Sequence, residues 1–264
     1  MPPPRRPVAP PEFVRLAAHP VRWRLLTELA GSDYRVRELV SRVDEPQNVV
    51  SYHLRLLRDG GLVSSNRSSF DARDSYYHLD LDRCADGLAA SGAALHPALR
   101  RDGTSPLPGG AAPVSVLFVC TGNSTRSPMA EALLRDRAAS NGVAVPVTVT
   151  SAGSRPKDRL HPHTVRVLRE VFGIEVGDRH PRHLAALAGH GFDHVITLCD
   201  RARESCPEFP DHPRRAHWSI PDPDPASYAA FRRTAADIDT RVRHLLPVLA
   251  TTDRTATDRS EVRP

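Results

Sequence analysis

The chain is 264 residues long, beyond the roughly 100 to 200 of a usual single domain, so its length alone points to two domains. Hydrophobic residues make up 40% and charged residues 25%, enough to fill ordinary cores, which excludes wholesale disorder and assigns the 25 prolines to linkers and tails. The formal charge of +5 comes almost wholly from arginine, Lys157 being the only lysine, and no apolar run reaches the ~18 residues of a membrane span. The opening MPPPRRPVAPPEFVRL lacks the apolar segment and cleavage site of a secretory signal, so the expected location is the cytoplasm, with no membrane partner.

Composition divides the chain into a first domain at about 10–85, a linker at 86–112 that closes in Gly, Pro and Ser, a second domain at 113–250 and a flexible tail at 251–264. In the first domain Leu25, Leu26 and Leu29 share one helical face, and Val36, Leu39, Val40 and Val43 repeat the pattern. Pro46 opens a third helix in which Val50, Leu54 and Leu57 point inward and Gln47, Asn48, Ser51, Tyr52 and Arg55 point outward. Asp59-Gly60-Gly61 stops it, and the strand-like runs Leu62 to Asn66 and Ser75 to Leu79 then form a hairpin. Two helices, a tight connection, a third helix and a hairpin make a winged helix-turn-helix. Outward Gln and Asn on the third helix suit adenine edges in a major groove. Ser51, Tyr52, His53 and Arg55 complete the candidate DNA-reading set, and Arg67 and Arg73 in the wing are placed to reach phosphates. The other use of such a fold is dimerisation or protein contact.

The phrases RLAAHPVRWRLLTELA, VVSYHLRLLRDGGLV and SYYHLDLD resemble ArsR-type repressors over about 70 residues. The resemblance implies double-stranded DNA as a partner and a homodimer on palindromic sites. Where many arsenic-responsive members carry a Cys-Val-Cys pair, this chain reads Tyr34-Arg35-Val36-Arg37-Glu38-Leu39, which has no thiolate for a metalloid. Cys84 stands alone at the end of this domain and reads as a small buried hydrophobe.

The second domain opens with VSVLFV, an apolar run typical of a strand buried on both faces of a parallel sheet. Cys120-Thr121-Gly122-Asn123-Ser124-Thr125-Arg126-Ser127 follows, and then a helix with Pro128 at its first position. A loop bracketed by Cys and Arg between strand and helix is an oxyanion cradle: its N–H groups and the helix N-terminus face one tetrahedral anion. The same field favours a thiolate at Cys120, and Arg126 offers a planar fork to two anion oxygens. Further apolar runs near 146–151 and 193–198 alternate with helical segments, as in an α/β sheet.

VLFVCTGNSTRSPMAEALL, SAG at Ser151, FDHVITLCD and HWSIPDP resemble the low-molecular-weight protein tyrosine phosphatase fold, including the arsenate reductases built on it. The resemblance implies a four-stranded parallel sheet with helices on both faces. It also implies a late Asp-Pro as proton donor, for which Asp222-Pro223 matches better than Asp224-Pro225, with Asn123 and Ser127 bracing the loop. Glu131 matches a residue near the cation site of some reductases. Cys199 and Cys206, with six residues between and Pro after, match the thiol pair of thioredoxin-coupled arsenate reductases. Such a pair can expel arsenite and carry a disulfide outward. A zinc site using Cys199, Cys206 and His212 or His217 is the other reading of the pair, against its long spacing. Thr125 stands where many relatives have a further cysteine, and Pro223-Asp224-Pro225-Ala226 lacks the aromatic pair that flanks a phosphotyrosine cleft.

The resulting expectation is an arsenate reductase with a three-cysteine relay behind a DNA-binding regulator domain. It has no bound metal and no tightly bound cofactor, and it draws on an external thiol reductant, thioredoxin or a low-molecular-weight thiol. The alternatives are a protein tyrosine phosphatase acting on a phosphate ester, and a regulator whose second domain senses an oxyanion without turnover.

Overall fold

The computed structural model describes residues 9–71, 73–96, 113–140, 146–187, 189–207, 209 and 213–250. Residues 97–112 and the tail 251–264, assigned to linker and flexible end, lie outside the described residues. Of the described residues, those up to Asn66 and from Ser75 to His96 make one compact unit and the rest make another.

In the first unit α1 (Glu12–Ala17), α2 (Pro20–Gly31), α3 (Val36–Val43) and α4 (Gln47–Asp59) are followed by strands β2 (Val63–Arg67) and β3 (Ser75–Leu79), and β1 (Tyr34–Arg35) precedes α3. The three strands form one sheet in the order β1-β3-β2, with β1 antiparallel to β3. The inward stripes hold: Leu25, Leu26, Leu29, Leu39, Val43, Val50, Leu54 and Leu57 are buried in one core. The two-residue β1 is too short to show a period in sequence. Pro46 is the residue before α4 rather than its first turn, and its carbonyl accepts the Val50 amide at 3.0 Å. The expected linker start at residue 86 is corrected. Helix α5 (Leu81–Leu95) runs into it as far as Leu95, because Asp80 caps it by accepting the Arg83 N–H and its alanines suit a helix that packs on α1.

The second unit contains β4 (Val114–Cys120), β5 (Val147–Gly153), β6 (His194–Thr197) and β7 (Arg214–His217), all parallel, in the order β5-β4-β6-β7. Helix α6 (Arg126–Ser140) connects β4 to β5, α7 (Pro162–Phe172) lies between β5 and β6, α8 (Asp200–Ser205) follows β6, and α9 (Tyr228–Ala250) packs on α6 and α7. Helix α6 starts at Arg126, two residues before Pro128. Strand β4 is buried along nearly its whole length, as an unbroken apolar run requires in the centre of a parallel sheet. Strand β7 has no apolar run: it is the edge strand and exposes Arg214 and Arg215. After β4 the chain crosses to β5 on one side and returns to β6 on the other, which opens a crevice at the carboxyl end of β4.

Candidate functional site

That crevice holds two cysteines side by side. Val119 pairs with Thr197 across β4 and β6, and the Leu198 amide donates to the Val119 carbonyl at 2.7 Å, so Cys120 and Cys199 leave neighbouring strands together. Both are buried. Thr121 Oγ1 lies 3.3 Å from Cys199 Sγ, which puts the second thiol against the first residue of the loop.

The loop from Cys120 to Arg126 is held open by a strap that sequence patterning does not show. Backbone N–H groups of Ser154, Arg155, Lys157 and His161 donate to the carbonyls of Cys120, Thr121, Gly122 and Ser124 at 3.2, 2.9, 2.9 and 3.0 Å, and Thr164 Oγ1 adds a second bond to Ser124. A trans peptide points its N–H opposite to its C=O, so carbonyls drawn out to the strap turn the loop amides inward. The Asn123 N–H accordingly donates to Cys120 Sγ at 3.2 Å. Asn123 takes φ +43°, a conformation open to Asn more readily than to most residues. Its side chain holds it there, donating to Ser127 Oγ and Ser151 Oγ at 2.9 Å each and accepting the Arg182 amide at 2.7 Å. Gly153 allows the strap to start so close, since a Cβ there would meet the Thr121 carbonyl oxygen at 2.6 Å.

Ser127 Oγ lies 3.0 Å from Cys120 Sγ. Burial pushes the Cys120 thiol up, while Arg126 and Ser127 pull it down. Burial is the larger influence and leaves the thiol raised on balance, against the thiolate expected from the loop field, and Arg126 and Ser127 are the groups that oppose it. Arg126 is buried, with one nitrogen donating to the Ile220 carbonyl at 2.9 Å and another 3.2 Å from Asp222 Oδ1. The Asp222 side chain is 71% exposed, at the mouth of the site. Asp224 instead accepts the Ala226 N–H at 3.0 Å within the turn before α9. The two aspartates are thus separated by geometry: Asp222 faces Arg126 and Asp224 shapes a turn.

Cys199 is the N-cap of α8 and Cys206 its C-cap. Burial pushes the Cys206 thiol up and Arg215, 3.9 Å away, pulls it down. Behind Cys199 sits a polar cluster not anticipated from sequence: Asp200 Oδ1 accepts Ser219 Oγ at 2.8 Å and lies 3.0 Å from His217 Nε2, and His217 Nδ1 is 2.8 Å from Thr197 Oγ1. Burial pushes the Asp200 carboxyl up, but its bonds with His217 and Ser219 outweigh this and hold it well below the ordinary carboxylate range. Buried Glu131 accepts Ser151 Oγ at 2.6 Å, Arg135 at 2.7 Å and Arg179 at 2.9 Å, so arginines surround the carboxylate that the resemblance places near a cation site. No three His, Cys, Asp or Glu side chains cluster as a metal set among the described residues, and His212 lies outside them.

Gln47, Asn48, Ser51, Tyr52 and Arg55 are exposed on α4, and Arg67 and Arg73 are exposed on the wing, Arg73 3.3 Å from Asp71. His53 is corrected: it is buried, its ring centroid 4.4 Å from that of His19. It stands three residues after Val50, on the inward stripe of α4, and does not present its ring to a groove.

The family model described as low molecular weight phosphotyrosine protein phosphatase matches residues 115–256, and that of bacterial regulatory proteins of the arsR family matches residues 19–65. An arsenate reductase of Brevibacillus brevis is 33% identical over 129 residues, covering 49% of this chain and 91% of its own. One from Bacillus subtilis is 32% identical over 134 residues, covering 48% of this chain and 91% of its own. A solved low molecular weight protein tyrosine phosphatase from T. tengcongensis is 26% identical over 52% of this chain and 99% of that one, with a TM-score of 0.45.

Proposed function

Because the chain belongs to the low molecular weight phosphotyrosine protein phosphatase family and carries an arsR-family helix-turn-helix, we propose that it is an arsenate reductase joined to a DNA-binding regulator. The observation that carries this reading is the buried thiol of Cys199 on the Cys120 loop, with a third thiol at the far end of α8. Hydrolysis of a phosphate ester is completed by water and uses neither.

In the proposed cycle arsenate occupies the loop from Thr121 to Arg126, whose amides and guanidinium hold its oxygens. Cys120 Sγ attacks arsenic, forming an As–S bond, and Asp222 protonates the departing oxygen, which leaves as water. Cys199 Sγ then attacks Cys120 Sγ. The new S–S bond forms as the As–S pair returns to arsenic, so As(V) becomes As(III) and two thiols become a disulfide. Cys206 displaces Cys120 from Cys199, and an external dithiol of the thioredoxin kind, or a low-molecular-weight thiol, reduces the resulting pair.

Helix α8 constrains that last exchange. Seven helical steps of about 1.5 Å separate Cys199 from Cys206 by roughly 10 Å, whereas a disulfide needs Cα atoms about 4.4 to 6.8 Å apart. A Cys199–Cys206 bond therefore requires α8 to unwind, which brings the oxidised pair out of its helix. The test is mass spectrometry after arsenate treatment without reductant. Wild type should accumulate a disulfide joining Cys199 and Cys206, Cys206→Ser should stop at Cys120–Cys199 after one turnover, and Cys199→Ser should form no disulfide. Sustained wild-type turnover by both serine variants would rule out the relay. The phosphatase reading keeps one observation in its favour, the complete set of Cys120, Arg126 and Asp222, and aryl phosphate hydrolysis unaffected by the loss of Cys199 would be its signature.

For the winged helix we propose groove reading by the exposed face of α4, Gln47, Asn48, Ser51, Tyr52 and Arg55, with Arg67 and Arg73 on phosphates, as a homodimer. His53 has no part in this set.

A further inference from the structure

Arginine supplies every basic side chain of the chain, histidines aside, except one, and that single lysine, Lys157, lies against the oxyanion loop. Its backbone N–H donates to the Gly122 carbonyl at 2.9 Å. Its Cγ and Cε would stand 3.6 and 3.8 Å from a Cβ placed on Gly122, so the stem runs alongside the loop. Arg126 closes the other end of the same loop from a buried position. Lys157 is exposed and has no carboxylate partner among the described residues. The strap bonds on either side, from Arg155 and His161, fix the backbone from which the lysine extends.

We propose that Lys157 is a specificity-determining residue, its ammonium binding the outward oxygen of a small, doubly charged inorganic oxyanion seated in the Cys120–Arg126 loop. The inference rests on the oxyanion-loop reading given under the proposed function. Chemistry favours lysine here. Guanidinium is a planar fork suited to fixed two-oxygen contacts, which Arg126 already supplies, whereas an ammonium on a flexible stem is a compact point charge that follows an oxygen whose position changes during the reaction. The residues directly after Asp222, Pro223-Asp224-Pro225-Ala226, carry no aromatic ring.

Lys157 is also the only side-chain amine, so reductive methylation with 13C-formaldehyde gives one lysine signal besides the N-terminus and keeps the charge. Titration with inorganic phosphate should shift that signal saturably, and Arg126→Ala should weaken the response. In arsenate reduction Lys157→Gln should raise KM, and the inhibition constant for phosphate, about tenfold with kcat changed less than twofold. Lys157→Arg should recover most of the loss, and the deficit of the Gln variant should shrink as ionic strength rises from about 0.02 to about 0.5 M, as an exposed charge is screened. A purely structural role would not follow salt. An unmoved methyl signal at saturating phosphate, or an unchanged KM in Lys157→Gln, overturns the proposal. If the protein binds phosphate with the expected shift yet never reduces arsenate, the reductase reading fails and the role of Lys157 stands.

Discussion

Cys120 is held between opposing influences, and its neighbours decide the balance. Burial favours the neutral thiol; Arg126 and the Ser127 hydroxyl favour the thiolate. Ser127→Ala removes one of the groups that pull the thiol down, so its ionisation moves to higher pH and the thiolate fraction at neutral pH falls. A hydrogen bond to a charged partner is worth about 1.5 to 3 kcal/mol, so alkylation of Cys120 by iodoacetamide at neutral pH should slow on the order of ten- to hundredfold. A peptide-resolved rate measured across a pH series checks this, and a profile that does not move would separate Ser127 from the thiol. Cys120 and Arg126 themselves were legible in sequence because the chemistry needs those residue types at that spacing. Ser151, which braces Asn123 from β5, was less so, because a serine in an SAG triplet looks like any small residue until the fold brings it to Asn123 at 2.9 Å.

At the scale of elements, α8 is anchored at one end by a buried ion and left half-buried at the other. Asp200 is held below the ordinary carboxylate range, so its contribution to stability is present above its unfolded value of about 3.9 and is lost as pH falls below that. Asp200→Asn keeps the shape but weakens the bonds with His217 and Ser219, and should cost about 1 to 3 kcal/mol, read as a lower urea midpoint at pH 7. The gap between variant and wild type should narrow as pH drops below about 4, since the unfolded wild-type chain then takes up a proton that the native Asp200 carboxylate does not, which erodes the advantage of the folded charge. A constant gap across that range would mean that Asp200 acts through packing alone. Patterning revealed the apolar elements: the three helical stripes of the first unit, the hairpin and β4, β5 and β6. It did not reveal elements whose stability comes from neighbours. The edge strand β7 is Arg-Arg-Ala-His, the strap over the loop is made of backbone bonds that any residue can donate, and α5 continues past residue 86 on an alanine-rich sequence that reads equally as linker. His53 was misplaced because its polarity outweighed its position on the buried stripe.

At the scale of the whole molecule the two proposed chemistries draw on different residues, which makes them separable by mutation. The proposed groove-reading set lies on α4, and the proposed oxyanion loop lies between β4 and α6. Gln47→Ala together with Asn48→Ala should weaken specific DNA binding by roughly 1 to 3 kcal/mol for each amide that reads a base, because both amides are exposed and suited to adenine edges. The same pair should leave arsenate reduction and phosphate binding unchanged. The formal charge of +5 predicts a nonspecific component of binding as well, so affinity must be followed against salt. Removing the base-reading amides lowers affinity without changing the slope of log affinity on log salt, whereas Arg67→Ala or Arg73→Ala, which take a cation away from a phosphate, should reduce the slope by about one each. Fluorescence anisotropy on the promoter beside its own gene and on random duplex separates the two effects. If the promoter binds no more tightly than random duplex at moderate salt, α4 reads no sequence, and the first unit has to be assigned to dimerisation or protein contact instead.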